Sequence, residues 1–158
     1  SGTEAGKEAH MHKGLARASV IALAVLALVA GPASAANPHF IYAYGSESGG
    51  NLSVDFKIAG LGKLADMDTV TLSGHVTATW YCTNRGGNVP PGLYRTDEDV
   101  SVSGDYPVDR NGSVTGRITA TPTPALCPNG MRSTTLVSAS WSNASLDDDF
   151  GAGPYPVQ

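Results

Sequence analysis

Between residues 69 and 83, polar residues alternate with apolar or small ones without a break. Val70, Leu72, Gly74, Val76, Ala78, Trp80 and Cys82 hold the even positions, and Thr69, Thr71, Ser73, His75, Thr77, Thr79 and Tyr81 hold the odd ones. Successive side chains of an extended chain point to opposite faces, so this run is a half-buried antiparallel strand with one apolar and one wet face. Gly74 is the place for a bend. No window after residue 36 sustains the three-and-four spacing of an amphipathic helix.

The same period recurs. Residues 52–59 put Val54, Phe56 and Ile58 inward and Ser53, Asp55 and Lys57 outward. Val100, Val102, Gly104, Tyr106 and Val108 form another inward set, with Pro107 marking an edge or a strand end. Residues 113–121 contribute Val114, Gly116, Ile118 and Ala120, and residues 136–145 contribute Val137, Ala139 and Trp141. Residues 40–44 add a short first strand. Turn signals separate the runs: Ser48-Gly49-Gly50-Asn51, Arg85-Gly86-Gly87-Asn88, Asp109-Arg110-Asn111-Gly112 and Pro128-Asn129-Gly130. Asn111-Gly112 is a two-residue hairpin signal, because both positions tolerate positive φ. Six or seven short strands in this length predict an all-β domain over 36–150, a single immunoglobulin-like antiparallel β-sandwich, with a closed barrel as the alternative. Residues 151–158, rich in Gly and Pro, read as a flexible tail.

The segment ahead of the strands is an address. Met11 to Arg17 is basic, Val20 to Ala30 is an unbroken apolar run, and Ala33-Ser34-Ala35 follows the helix breakers Gly31 and Pro32. This is the pattern of a secretory signal peptide over 11–35, cleaved after Ala35. The apolar run is too short for a bilayer, which takes about 20 residues. Residues 1–10 read as an upstream extension or cloning remnant. Beyond residue 35 the chain carries seven basic against twelve acidic side chains, a net charge of −5. That balance lacks the basic face a nucleic-acid partner requires.

Cys82 and Cys127 are the two cysteines of the chain. Export and an even count predict one disulfide. Cys82 has the inward parity of Trp80, and the bridge would gather Asn84-Arg85-Gly86-Gly87-Asn88 and Pro128-Asn129-Gly130-Met131-Arg132 at one end of the molecule. The loop over 83–95, with its glycines, amides, prolines and arginine, is the most individual stretch and a candidate recognition site. Asn84, Arg85, Asn88, Tyr94 and Arg132 are its candidate contact residues. With "FKIAGLG", "ATWYCTNRGGNVPPG", "DRNGSVTG" and "LCPNGMRSTTLVSASWSNASL", the chain resembles small secreted β-sandwich proteins of actinomycete-type bacteria. That resemblance implies export and a shared β fold and brings no functional residue with it.

Signals for chemistry are sparse. Ser73 and His75 share an outward face, but no G-x-S-x-G elbow accompanies them, so no catalytic residue is assigned. The acidic runs Asp147-Asp148-Asp149 and Asp97-Glu98-Asp99 lack the spacing of a calcium loop and read as solvated turns, with weak calcium binding by 147–149 left open. No metal or cofactor is expected. Sugar sites on sandwiches need exposed rings beside polar groups. Trp80 and Trp141 have inward parity, which leaves Tyr42, Tyr44, Tyr81 and Tyr94 as the candidates. The expectation is a secreted, non-catalytic binding or envelope-associated module for a polar or acidic surface partner, a cell-wall polysaccharide or a protein. The alternatives are a small extracellular hydrolase and a protease inhibitor presenting the 83–95 loop.

Overall fold

Alternation dictates two sheets, since each strand with one apolar face needs a second apolar face to cover it. The computed structural model describes residues 36–158, apart from the side chains of Arg132 and Ser133. The expected signal peptide and the residues before it lie outside the described residues. The strands are β1 (His39–Ser48), β2 (Asn51–Ala59), β3 (Met67–Asn84), β4 (Tyr94–Pro107), β5 (Val114–Ala120), β6 (Met131–Asp148) and β7 (Tyr155–Pro156). They form a three-stranded sheet, β1-β2-β5, and a four-stranded sheet, β4-β3-β6-β7, with every neighbouring pair antiparallel. This is an immunoglobulin-like order in which the fourth strand pairs with the third instead of the fifth. Among the described residues no ladder joins one sheet to the other, so the fold is a sandwich and not a closed barrel.

The even face of β3 meets the inward face of β2. Val54, Phe56, Ile58, Leu61, Val70, Leu72, Val114 and Leu146 are all fully buried in one cluster. A smaller cluster of Ala78, Trp80 and Ala125, with Tyr94, Leu136 and Ala139 against it, fills the disulfide end. The sheets are also stitched along both seams. On one, the Tyr106 hydroxyl donates to the Arg117 carbonyl at 2.8 Å, and its ring meets Phe56 edge-on at 4.9 Å. Gly116 makes this possible, because a Cβ there would stand 2.5 Å from the Tyr106 ring.

On the other seam the chain end does the stitching. Residues 151–158, read from the sequence as a flexible tail, carry β7 and then cross between the sheets. The Val157 amide donates to the Ala144 carbonyl, while Gln158 exchanges backbone hydrogen bonds with Ala43 and Gly45. Tyr155 stacks on Phe40 at 5.3 Å. Gly and Pro content suggested looseness, but backbone pairing and an aromatic contact hold this segment.

Three further expectations change. Val137 is 52% exposed, not inward. The β3–β6 register slips between Thr79/Trp80, so Leu136 takes the inward place and Val137 is the extra residue of a bulge. A second slip, opposite Gly74, puts Asn143 at φ 53° and restores Ala144 and Leu146 to the core side. Second, Asn111-Gly112 reverses the chain, yet the strands on either side are not ladder partners: β4 pairs with β3 and β5 with β2. Asp109 organises that turn by accepting the amides of Asn111 and Ser113. Third, Asp97-Glu98-Asp99 lies within β4, and Asp147 and Asp148 end β6, so neither run is simply a turn.

One buried residue goes against the pattern. Asp68 is 1% exposed, and neither carboxylate oxygen has a hydrogen-bond partner. Burial, then repulsion from Asp148, raises its pKa from 3.8 to about 6; the Asp149 amide is near enough to offset this in part but stands outside hydrogen-bond geometry. Between those values the folded protein holds a proton that the unfolded chain has released, so stability falls as pH rises through that window. Asp68→Asn is expected to stabilise the fold at pH 7 in chelator-containing buffer by about 2 kcal/mol, discounted for solvent near the sheet end. It should also flatten the pH dependence of denaturant midpoints between about pH 4 and 6. An unchanged pH profile in the variant would contradict the assignment.

The bridge between Cys82 and Cys127 closes a segment 45 residues long, with Cα atoms 5.8 Å apart. Chain-entropy arguments give such a closure about 4 kcal/mol. Urea unfolding of Cys82→Ala/Cys127→Ala should show a loss of that order with an altered denatured state, and a loss under about 1 kcal/mol would mean that the bridge is incidental.

Candidate functional site

The disulfide end assembles two turns. Asn84 pairs with Met131 across β3 and β6, and the Met131 amide closes a turn onto the Pro128 carbonyl. The 84–88 turn and the 128–131 turn therefore sit side by side. Asn84 organises the first of these, its Oδ1 accepting the amides of Gly86 at 2.9 Å and Asn88 at 3.0 Å. That oxygen is engaged in holding the loop, while Arg85 and Asn88 are exposed. Tyr94 is the first residue of β4, opposite Trp80, and packs against the smaller core cluster. The Arg132 side chain is outside the described set. Val89, Leu93 and Leu126 are exposed near this end, so its surface is apolar as well as basic.

The outward face of the four-stranded sheet is a polar ladder. Directly opposed residues of β3 and β4 bond in sequence: Thr69 to Asp105, Thr71 to Ser103, Ser73 to Ser101, and Thr77 to Asp97. His75 occupies the middle, with Nδ1 2.8 Å from Asp99 and Nε2 2.9 Å from Asp97. Imidazole can donate from both nitrogens only when protonated, so two carboxylates favour the cation. The Asp99 hydrogen bond is the main cause that raises the His75 pKa above its ordinary 6.5; desolvation opposes it, and the charges of Asp97 and Asp99 with the Asp97 hydrogen bond add to the rise. The Thr77 hydroxyl, aided by His75 and Arg95, lowers that of Asp97. Ser73 is on the same face, but its hydroxyl meets Ser101 at 3.3 Å and both His75 nitrogens meet carboxylates. The hydrogen bond that a Ser–His pair requires is not made.

The outward face of the three-stranded sheet carries a different grid. Strand register lines up Tyr44, Asp55 and Arg117 in one row across β1, β2 and β5. Tyr42, Lys57 and Thr115 form the next row, and Ser46, Ser53 and Thr119 the one beyond. Arg117 grips Asp55 with two parallel bonds of 2.7 Å. That fork holds the Asp55 carboxyl below its ordinary pKa and raises that of Arg117. The Tyr42 and Tyr44 rings lie 5.2 Å apart and 12° from parallel, and Tyr44 is 56% exposed. Ser53 and Thr119 hydroxyls bond at 2.9 Å. One edge of the grid is aromatic, its centre is charged and its far row is hydroxylic.

The two tyrosines were candidates for exposure in the sequence, but strict alternation would put them on the side of buried Phe40; the register shift between Phe40 and Tyr42 turns them outward, in register with the Asp55 and Arg117 face. Asp68 went unnoticed although the signal was present, since the even parity that sends Val70 inward sends Asp68 inward too. Comparison with known protein families, curated proteins and solved structures gives no match.

His75 generates a pH expectation. Because its folded pKa is raised, the stabilisation it provides is complete below about 6.5 and is lost as pH rises through the folded value. Proton–nitrogen NMR titration should find His75 titrating above 6.5. Asp99→Asn should lower the His75 value more than Asp97→Asn does. A His75 midpoint at or below 6.5 would show that the two carboxylates do not hold the ring as a cation.

Proposed function

We propose that this chain is a secreted, non-catalytic β-sandwich module that binds an extracellular polysaccharide on the outward face of its three-stranded sheet. Two observations support export: the signal-peptide pattern over 11–35 and a disulfide of the kind that persists in oxidising compartments. The resemblance to small secreted proteins of actinomycete-type bacteria points the same way on export and leaves the ligand to the chemistry of the surface.

The observation that carries the reading is the row Tyr44–Asp55–Arg117 beside Tyr42. Sugar rings present apolar C–H faces and a rim of hydroxyls. An exposed aromatic ring takes the first, and fixed carboxylate and guanidinium groups take the second. The Asp55–Arg117 fork holds its own geometry, so less side-chain entropy is lost when a ligand docks on it. A strand face is a rigid mount, and its extended shape suits a chain more than a single small molecule.

Sedimentation binding to insoluble cell-wall glycan, chitin and cellulose tests this. The protein is expected to bind at least one of them. Tyr44→Ala, with an unchanged circular dichroism spectrum, should bind about tenfold more weakly, equivalent to about 1.4 kcal/mol. No binding to any of the three, or equal binding by the variant, would refute the assignment.

A further inference from the structure

The corner where β3 begins and β6 ends closes the core with carboxylates. Asp68 is buried with both oxygens unpartnered. Asp148 lies on the same inward face, since its Cα pairs with Val70, two residues along β3 from Asp68. Its own oxygens gather the loop that follows: Oδ2 accepts the Phe150 amide at 3.3 Å, and Oδ1 accepts the Ala152 amide. Asp149, next along the chain, adds its charge to that of Asp148 in acting on Asp68. Among the described residues, no Lys, Arg or His forms an ion pair with Asp68 or Asp148. A buried carboxylate without a donor is costly, and a bound cation is one of the few ways to satisfy it.

We propose that Asp68 and Asp148 hold a calcium ion at this end of the sandwich. Donors here are oxygens alone, which suits calcium and not the nitrogen and sulfur preferences of zinc. No third His, Cys, Asp or Glu side chain converges with them among the described residues, so backbone carbonyls and water complete the shell. Two carboxylates set a modest affinity, a Kd on the order of 10⁻⁴ to 10⁻³ M, the range of extracellular calcium modules. The ion neutralises Asp68 and ties the start of β3 to the 148–152 loop, which leads into β7. The proposal is independent of the glycan reading, since the two sites lie on different sheets.

Calcium titration of chelator-treated protein at neutral pH tests it. The thermal midpoint should rise by several degrees at about 10 mM calcium, some ten times Kd or more, and rise less with magnesium. Calorimetry should give one saturable site. Asp68→Asn should show neither response. Should that variant not fold, NMR of the unaltered protein decides, with calcium-dependent amide shifts expected at Asp68 and across residues 148–152. A midpoint indifferent to calcium, an equal response in Asp68→Asn, or shifts confined to other regions would overturn the site.

Discussion

The burial of one face of β3 is the constraint on which everything else depends. β3 lies between β4 and β6, and its even-numbered side chains from Val70 to Cys82 have no solvent to face. A strand that long cannot hide its apolar side within its own sheet, so β1, β2 and β5 must form a second layer. Both seams of that second layer are then closed by specific contacts. Tyr106 reaches over Gly116 on one side, and residues 157–158 bridge β6 and β1 on the other. Trp141 adds a third link, its indole N–H donating to the Gly50 carbonyl at 2.9 Å.

Bulges reconcile this burial with an irregular sequence. A strict period of two along β6 cannot keep Leu136, Ala139, Trp141, Ala144 and Leu146 on one side. Each extra residue reverses parity, and two extras return the strand to its starting phase. Asn143 accepts a left-handed backbone at one of these points, a conformation that Asn tolerates better than most residues. The cost is local, and the gain is a continuous apolar surface opposite β2.

With the interior settled, the two outward faces differ in chemistry. The four-stranded sheet spends its polar groups on one another, as hydroxyls pair with hydroxyls and carboxylates and His75 is clamped from both sides. The three-stranded sheet leaves an aromatic edge open beside a fixed ion pair. Such a difference follows from register more than from composition, since both faces draw on the same Ser, Thr, Asp and Arg. The glycan proposal therefore rests on the second face, where an exposed aromatic ring stands beside a fixed ion pair.

Much of the fold was legible in local pattern. Alternation determines strands because side-chain direction has a period of two whatever the chain later packs against, so the span of β2 and the inward sets of β3 and β5 follow from residues alone. The disulfide followed from a count of two cysteines and the parity of Cys82. Other features depend on which strands become neighbours, and that is a long-range outcome. Val137 left the core because a bulge forms against Thr79 and Trp80, and residues 151–158 became ordered because Ala43, Gly45 and Ala144 offered backbone partners. Tyr44 came into one row with Asp55 and Arg117 through pairings up to 62 residues apart in the chain. The sequence by itself determined the strands and, wherever they run without a bulge, the face each side chain takes; only the tertiary structure decided where bulges exchange the faces and what stands beside each residue, because register and sheet order arise from burying all those faces at once.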